Sequence, residues 1–185
     1  MNRPARIDTD PAQPSPWFTA GEFLRMRDAG AFAGMRVELV EGEIVKMMPA
    51  YLAHGEANLT LAARLLAAVG QAGVIGTDVL IAVSDKTMRA ADIVVAAQGA
   101  PRNKALSAND VMLVVEIADS TLAEDLGAKL ADYASAGIAH YWVVDLKGQI
   151  IQCMRAPHDG GYDDRVVVRF GEELTLPDGR RIVGL

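Results

Sequence analysis

Apolar positions recur along the chain with two different periods, and the changes of period mark the elements. Residues 35–47, MRVELVEGEIVKM, alternate apolar with polar on both sides of Glu41-Gly42, which predicts a β-hairpin turning there. Over 51–72, YLAHGEANLTLAARLLAAVGQA, the period lengthens: Leu52, Leu59, Ala62, Ala63, Leu66 and Val69 recur at helical spacing, and Gly73 ends the helix. Strands are expected at 74–83, 91–97 and 111–117, with the loop QGAPRNKALSAND before the third. A second long helix is expected over 121–136, with Ser120-Thr121 as its N-cap and Gly137 as its C-cap. HYWVVDLKGQIIQCMR predicts a second hairpin turning at Lys147-Gly148, and the C-terminal segment supplies short strands. Near the start, Thr19-Ala-Gly-Glu22 is a capping box that opens a short helix to about residue 29. Residues 1–16 are polar and proline-rich and are expected to form a flexible tail, leaving 17–185 as a single domain. This order predicts an α/β (α+β) fold: a central mixed sheet flanked by two long helices, with an N-terminal hairpin and C-terminal strands.

Composition narrows the function. Charged residues make up 23% of the 185, an ordinary globular proportion rather than that of a disordered chain. The net charge of −6 argues against a strong general grip on nucleic acid, though not against a local basic patch. Lys86, Arg89, Arg102 and Lys104 are the candidates for such a patch. The one cysteine, Cys153, excludes an internal disulfide and a cysteine-type zinc cluster, and falls in a strand. The N-terminus lacks the apolar core of a signal peptide, and the longest apolar stretch, Leu59 to Val69, is interrupted by Arg64. A cytoplasmic protein with no membrane segment is therefore expected. No phosphate-binding G-x-x-x-x-G-K-[ST] and no dinucleotide fingerprint is present.

The candidate chemistry starts from LVVEIADST, residues 113–121. Its first half has the pattern of a strand buried on both faces, yet Glu116 interrupts it. A buried carboxylate is costly unless it is paired or binds a metal. Asp92 opens the preceding apolar strand, and two acids on neighbouring strands can converge on one cation. Oxygen ligands of this kind, with the backbone carbonyl of Ile117 as a third, suit Mg2+ or Mn2+. The plainer alternatives are that Asp92 caps the strand and Glu116 pairs with an arginine. In the second long helix the apolar stripe is Leu122, Leu126, Leu130 and Tyr133, and Lys129 lies about 60° from its centre, at the border of the buried face. From there its ammonium can extend toward the end of the sheet. Alternatively it forms a surface pair with Asp125, four residues earlier.

Five segments, VELVEGEIVKMMPA, His54, ADIVV, LVVEIADST and EDLGAKLADYASAGIAHYWVVD, resemble in order and spacing the Uma-type "putative restriction endonuclease" family of the PD-(D/E)XK nuclease superfamily. The resemblance implies a restriction-endonuclease-like core and a strand acid followed on the next strand by acid-X-lysine. Here the residue two after Glu116 is Ala118, and the resemblance assigns the lysine to the following helix, at Lys129. Two departures spare these groups: Ala91 stands where a proline is usual, and ADST where SPST is usual. Glu38 matches the acid of the family's first hairpin; it either reaches the metal, directly or through water, or lies on a solvated strand face. His54 opens the first long helix, where a neutral imidazole is expected; it either bonds a phosphate or an acid ligand, or simply caps the helix. His140 and His158 have no such context.

The expected function is thus metal-dependent hydrolysis of DNA phosphodiester bonds. Asp92, Glu116 and Lys129 would be catalytic, and Glu38, His54 and Asp125 accessory. The alternatives are a non-catalytic oligomeric module that keeps the fold, and a hydrolase of RNA or small phosphodiesters. A homodimer is expected through hairpin edges and the apolar second hairpin.

Overall fold

The computed structural model describes residues 17–185, and the tail expected over 1–16 lies outside them. Helix α1 (Ala20–Asp28) opens on the expected capping box: the Thr19 hydroxyl accepts from the Glu22 N–H, and the Glu22 carboxylate accepts from the Thr19 N–H. Strands β1 (Val37–Val40) and β2 (Glu43–Lys46) form the first hairpin. Its turn holds Glu41 and Gly42 at positive φ, and a Cβ on Gly42 would approach the Trp17 Cβ to 2.6 Å. Helix α2 (Leu52–Val69) runs into a single 3-10 turn, Gly70–Ala72. Then come β3 (Gly73–Ser84), β4 (Thr87–Ala97), β5 (Leu106–Ser107) and β6 (Val111–Ala118). Helices α3 (Leu122–Asp125) and α4 (Ala128–Ser135) cross over to β7 (His140–Asp145). The chain ends with β8 (Ile150–His158), β9 (Gly161–Arg169), β10 (Glu173–Thr175) and β11 (Arg181–Val183).

One nine-stranded sheet runs β2-β1-β4-β6-β7-β8-β9, with β3 along the other edge of β4 and β5 on β3. It is mixed. The β6–β7 pair is parallel and therefore needs the α3–α4 crossover, while β4 pairs with β3, β1 and β6 antiparallel. Both faces of the central strands are covered. Leu61, Leu65 and Val69 of α2 pack on Ile93, Val95, Leu113 and Val115. On the other side, Tyr133 packs with Val94, Val114, Tyr141 and Val143. Burial on both faces is why these strands are nearly continuous apolar runs.

Several expectations change. The buried row of α2 is Ala57, Leu61, Leu65 and Val69; Leu52, Leu59 and Leu66 point to solvent. The second helix is broken at Gly127, where a Cβ would meet the Ala123 carbonyl oxygen at 2.7 Å. Thr121 precedes α3 but caps nothing with its side chain; its hydroxyl donates instead to Asp125 at 2.6 Å. Strand β4 begins at Thr87, so Asp92 is mid-strand rather than at its start. The second hairpin is interior to the sheet, with Tyr141, Trp142, Val143, Val144 and Ile151 buried, so its apolar surface is unavailable for self-association. Among the described residues, no helix is long and apolar enough to cross a membrane.

Candidate active site

The site lies where one edge of β4 changes partner. That edge pairs with β6 as far as Ile93–Val115 and with β1 at Leu39–Met88. Between these contacts the strand forks away from both neighbours, and side chains take over the unpaired backbone groups. Glu38 Oε1 accepts the Ala90 N–H at 2.8 Å, and Asp92 Oδ2 accepts the Ile117 N–H at 2.8 Å. On the opposite edge the β3 ladder pairs Thr77 with Ile93 and Val79 with Ala91, skipping Asp78, which sits at φ 54° opposite Asp92. Ladder irregularities beside a functional group re-aim its side chain. In a strand the N–H and C=O of one residue face the same neighbour. The Ile117 carbonyl therefore lies on the Asp92 edge.

Asp92 is held from the α2 side. Its Oδ2 is 3.1 Å from His54 Nε2, and Asn58 donates to its backbone carbonyl at 3.2 Å. Burial opposes its charge, but the His54 and Ile117 bonds outweigh burial and lower the carboxyl pKa. His54 makes no cap, and its bond to Asp92 raises the imidazole pKa, against partial burial. A carboxylate in contact outweighs the helix terminus here.

Glu116 is held from the α4 side. Lys129 Nζ donates to its Oε2 at 3.0 Å and the Tyr133 hydroxyl to its Oε1 at 2.8 Å. Burial pushes the Glu116 carboxyl up to about 8, with Lys129 pulling the other way and Asp92 and Asp125 adding repulsion. Burial also disfavours the Lys129 ammonium, but Glu116 and then Asp125 outweigh it and hold the amine charged. Asp125 is buried rather than part of a surface pair: Oδ1 lies 3.3 Å from Lys129 Nζ. Despite that approach Oδ1 accepts no hydrogen bond and is sealed from solvent. The innermost row of the helical segment is thus Asp125, Lys129 and Tyr133, while Leu122, Leu126 and Leu130 are half-buried beside it.

The structure brings Asp92, Glu116, Lys129, His54 and Asp125 together. Glu38 sits next to them but is bound to Arg89 Nη1 at 3.0 Å, so it is neither solvated nor free to reach a metal unaided. Arg89 is not a surface contact for DNA. It is 1% exposed, with Nε donating to Asp132 at 2.8 Å and Nη1 to Glu124 at 3.3 Å. Lys86 is exposed but lines a cleft with Glu41, Glu43 and Asp132. Arg102 and Lys104 are exposed in the loop beyond Ala97, which lies about 17 Å of strand from Asp92. Clefts of about 720 and 350 Å³ lie on this surface, and neither is lined by Asp92, Glu116 or Lys129. Asn58, Tyr133 and the lock around Arg89 were not read from the sequence. Tyr133 was the most accessible of these, since it follows Lys129 by four residues and shares its face.

Asp92, Glu116 and the Ile117 carbonyl are oxygen donors of the kind a hard divalent cation takes. Glu116 and Asp125 contact one ammonium, Asp92 lies within electrostatic reach of it, and a buried carboxylate oxygen of Asp125 is left without a donor. Among the described residues no group of three His, Cys, Asp or Glu side chains is spaced as a ready cage. The ligands on offer are two strand carboxylates and a main-chain carbonyl.

Among known structures, a putative nuclease belonging to DUF820 from Anabaena variabilis ATCC 29413 superposes with a TM-score of 0.66 at 15% identity. The match covers 87% of this chain and 90% of that one, and shows a shared restriction-endonuclease-like fold. No curated protein sequence matches the chain. The model of the Uma2 family, described as putative restriction endonuclease, matches residues 20–181, and the chain belongs to that family.

Proposed function

We propose that the chain is a metal-dependent endonuclease that hydrolyses DNA phosphodiester bonds. The observation that carries this reading is the contact of Lys129 Nζ with Glu116 at 3.0 Å, beside Asp92: a helix delivers the ammonium that Ala118 cannot. Asp92, Glu116 and the carbonyl of Ile117 would hold Mg2+ or Mn2+. When bound, such an ion polarises the phosphate and lowers the pKa of a coordinated water. Lys129 keeps its proton at Nζ and offers it as a hydrogen bond to the attacking water or to a phosphate oxygen as charge develops. His54 and Asn58 fix the orientation of Asp92, and Tyr133 that of Glu116.

Nicking of supercoiled plasmid with Mg2+ or Mn2+ tests this. Wild type is expected to nick, and Lys129→Ala and Asp92→Ala to lose at least about a hundredfold in rate. Equal nicking by all three identifies a contaminant and removes the reading. No nicking, with no Mn2+ binding that depends on Asp92 and Glu116, leaves the non-catalytic module. Metal binding with cleavage of RNA or small diesters alone moves the substrate class.

A further inference from the structure

We propose that the smaller cleft, beside Asp92, takes one unpaired nucleotide of the substrate strand, with Arg27 and Arg36 on its phosphate and an apolar wall on its base. The ligand rests on the nuclease reading; its position and its unpaired state come from the cleft. The cleft, of about 350 Å³, lies between the loop after α1 and strands β1, β3 and β4. That is the low end for a small-molecule site, room for one nucleotide. Ala90 lines it. Asp92 stands two positions further along β4, about 7 Å away, and is turned to the same face, where His54 and Asn58 of α2 hold it. A scissile phosphate at Asp92 therefore leaves the adjoining nucleotide at the cleft. Arg36 and Asp78 both line the cleft and both act electrostatically on His54, which ties it to the site.

Charge separates the two clefts. The larger carries Glu41, Glu43 and Asp132 against Lys86, the smaller Arg27 and Arg36 against Asp78. A polyanion is repelled by the first and drawn to the second. Arg36 donates to Asp78, and both side chains are exposed. Exposed pairs contribute little, so a phosphate can replace Asp78 at low cost, and the guanidinium fork suits phosphate. Asp78 sits at φ 54° outside the β3 ladder, so the backbone departs from strand geometry at the residue that holds Arg36. Phe32, Met35, Val37 and Met47 make the wall apolar, and Phe32 is steadied by stacking on Phe23 with centroids 5.4 Å apart. Duplex DNA turns phosphates and sugars outward and keeps its bases stacked inside, so it leaves this wall unmet. An unpaired base can enter and cover it. Two arginines on a chain of net charge −6 are also few for a grip on duplex phosphates.

Fluorescence anisotropy on the full chain, with metal chelated so that nothing is cut, compares a labelled single-stranded oligothymidine with the same strand in duplex. The single strand is expected to bind at least about tenfold tighter. Arg36→Ala should weaken that binding about tenfold and lower the slope of log K against log salt by about 0.7. Asp78→Asn, which suits a left-handed φ, should tighten it about threefold by releasing Arg36. Met35→Gln should weaken it about threefold and leave the salt slope unchanged. Circular dichroism should not change in any of these, since all three side chains are exposed. Equal affinity for single strand and duplex, or an Arg36→Ala variant that binds like wild type, overturns the proposal. So does a loss on Lys86→Ala in place of Arg36→Ala, which would put the strand in the other cleft. The two readings fail separately. Arg36-dependent binding of the single strand with no cleavage under Mg2+ or Mn2+ removes the nuclease reading and leaves this one. Cleavage that ignores both Arg36→Ala and the pairing of the strand removes this one alone.

Discussion

Two buried ion clusters share the fork beside β4, and they are satisfied to different degrees. Around Arg89 the guanidinium is bound on three sides, by Glu38, Glu124 and Asp132, and the second oxygen of Glu38 takes the Ala90 N–H. Its bonds tie β1, β4, α3 and α4 together. Around Lys129, by contrast, a buried oxygen of Asp125 keeps an acceptor with no hydrogen-bond donor. A closed network holds elements in place, whereas an open one holds an unspent acceptor. The first is a lock, open to water at Glu124, and the second, shut away from water, has the makings of a binding site.

The largest effect on stability is expected at the lock. Arg89→Met strands Glu38 in the interior and should cost about 3–5 kcal/mol in urea unfolding; a loss under about 1 kcal/mol would erase the distinction. Lys129→Met should cost less, about 1–3 kcal/mol, because Glu116 can take up a proton once the ammonium is gone. Equal losses in the two variants would mean that both clusters are structural.

A further effect is one of pH. The Glu116 carboxyl is pushed up by burial to about 8 from 4.5. Below 4.5 both folded and unfolded chains hold this proton, and its stabilisation is fully present. As pH rises from there through about 8, the folded chain keeps a proton that the unfolded chain has released, so stability falls across that window and levels off above it. His54, with its raised pKa, adds a loss of the same sign, while Asp92, with its lowered pKa, acts oppositely at the acid end. Melting temperatures across the window should show a slope that shrinks in Glu116→Gln. An unchanged slope would mean that Glu116 is ionised throughout.

Much of the fold was legible because local chemistry dictated it. The Thr19–Glu22 box, the Glu41-Gly42 turn and the twice-buried strands each follow from a few adjacent residues. Glu116 was legible as a carboxylate in need of a partner, since it stands inside an apolar strand, whereas Lys129 as that partner rested on the family resemblance, its spacing from Asp125 being equally suited to a surface pair. The α2 face was not. Leu52, Leu59 and Leu66 are as apolar as the residues that pack on the sheet, and periodicity cannot tell a face turned to the core from one turned outward. Arg89 was hidden for another reason: Glu38 and Asp132 lie 51 and 43 positions away along the chain, so nothing near it revealed its burial. The helix break was visible only as a glycine, and a lone helical glycine is tolerated often enough to be passed over.

The ammonium comes from a helix thirteen positions after its carboxylate, across the bend at Gly127, rather than from the same strand. Any pattern search that demands a lysine two places after the acid will miss chains built this way. It also separates two evolutionary constraints: β6 can drift in sequence beyond Glu116 without moving the cation, while an insertion or deletion inside α4 ahead of Lys129 would rotate the lysine relative to the rest of its helix by about 100° per residue.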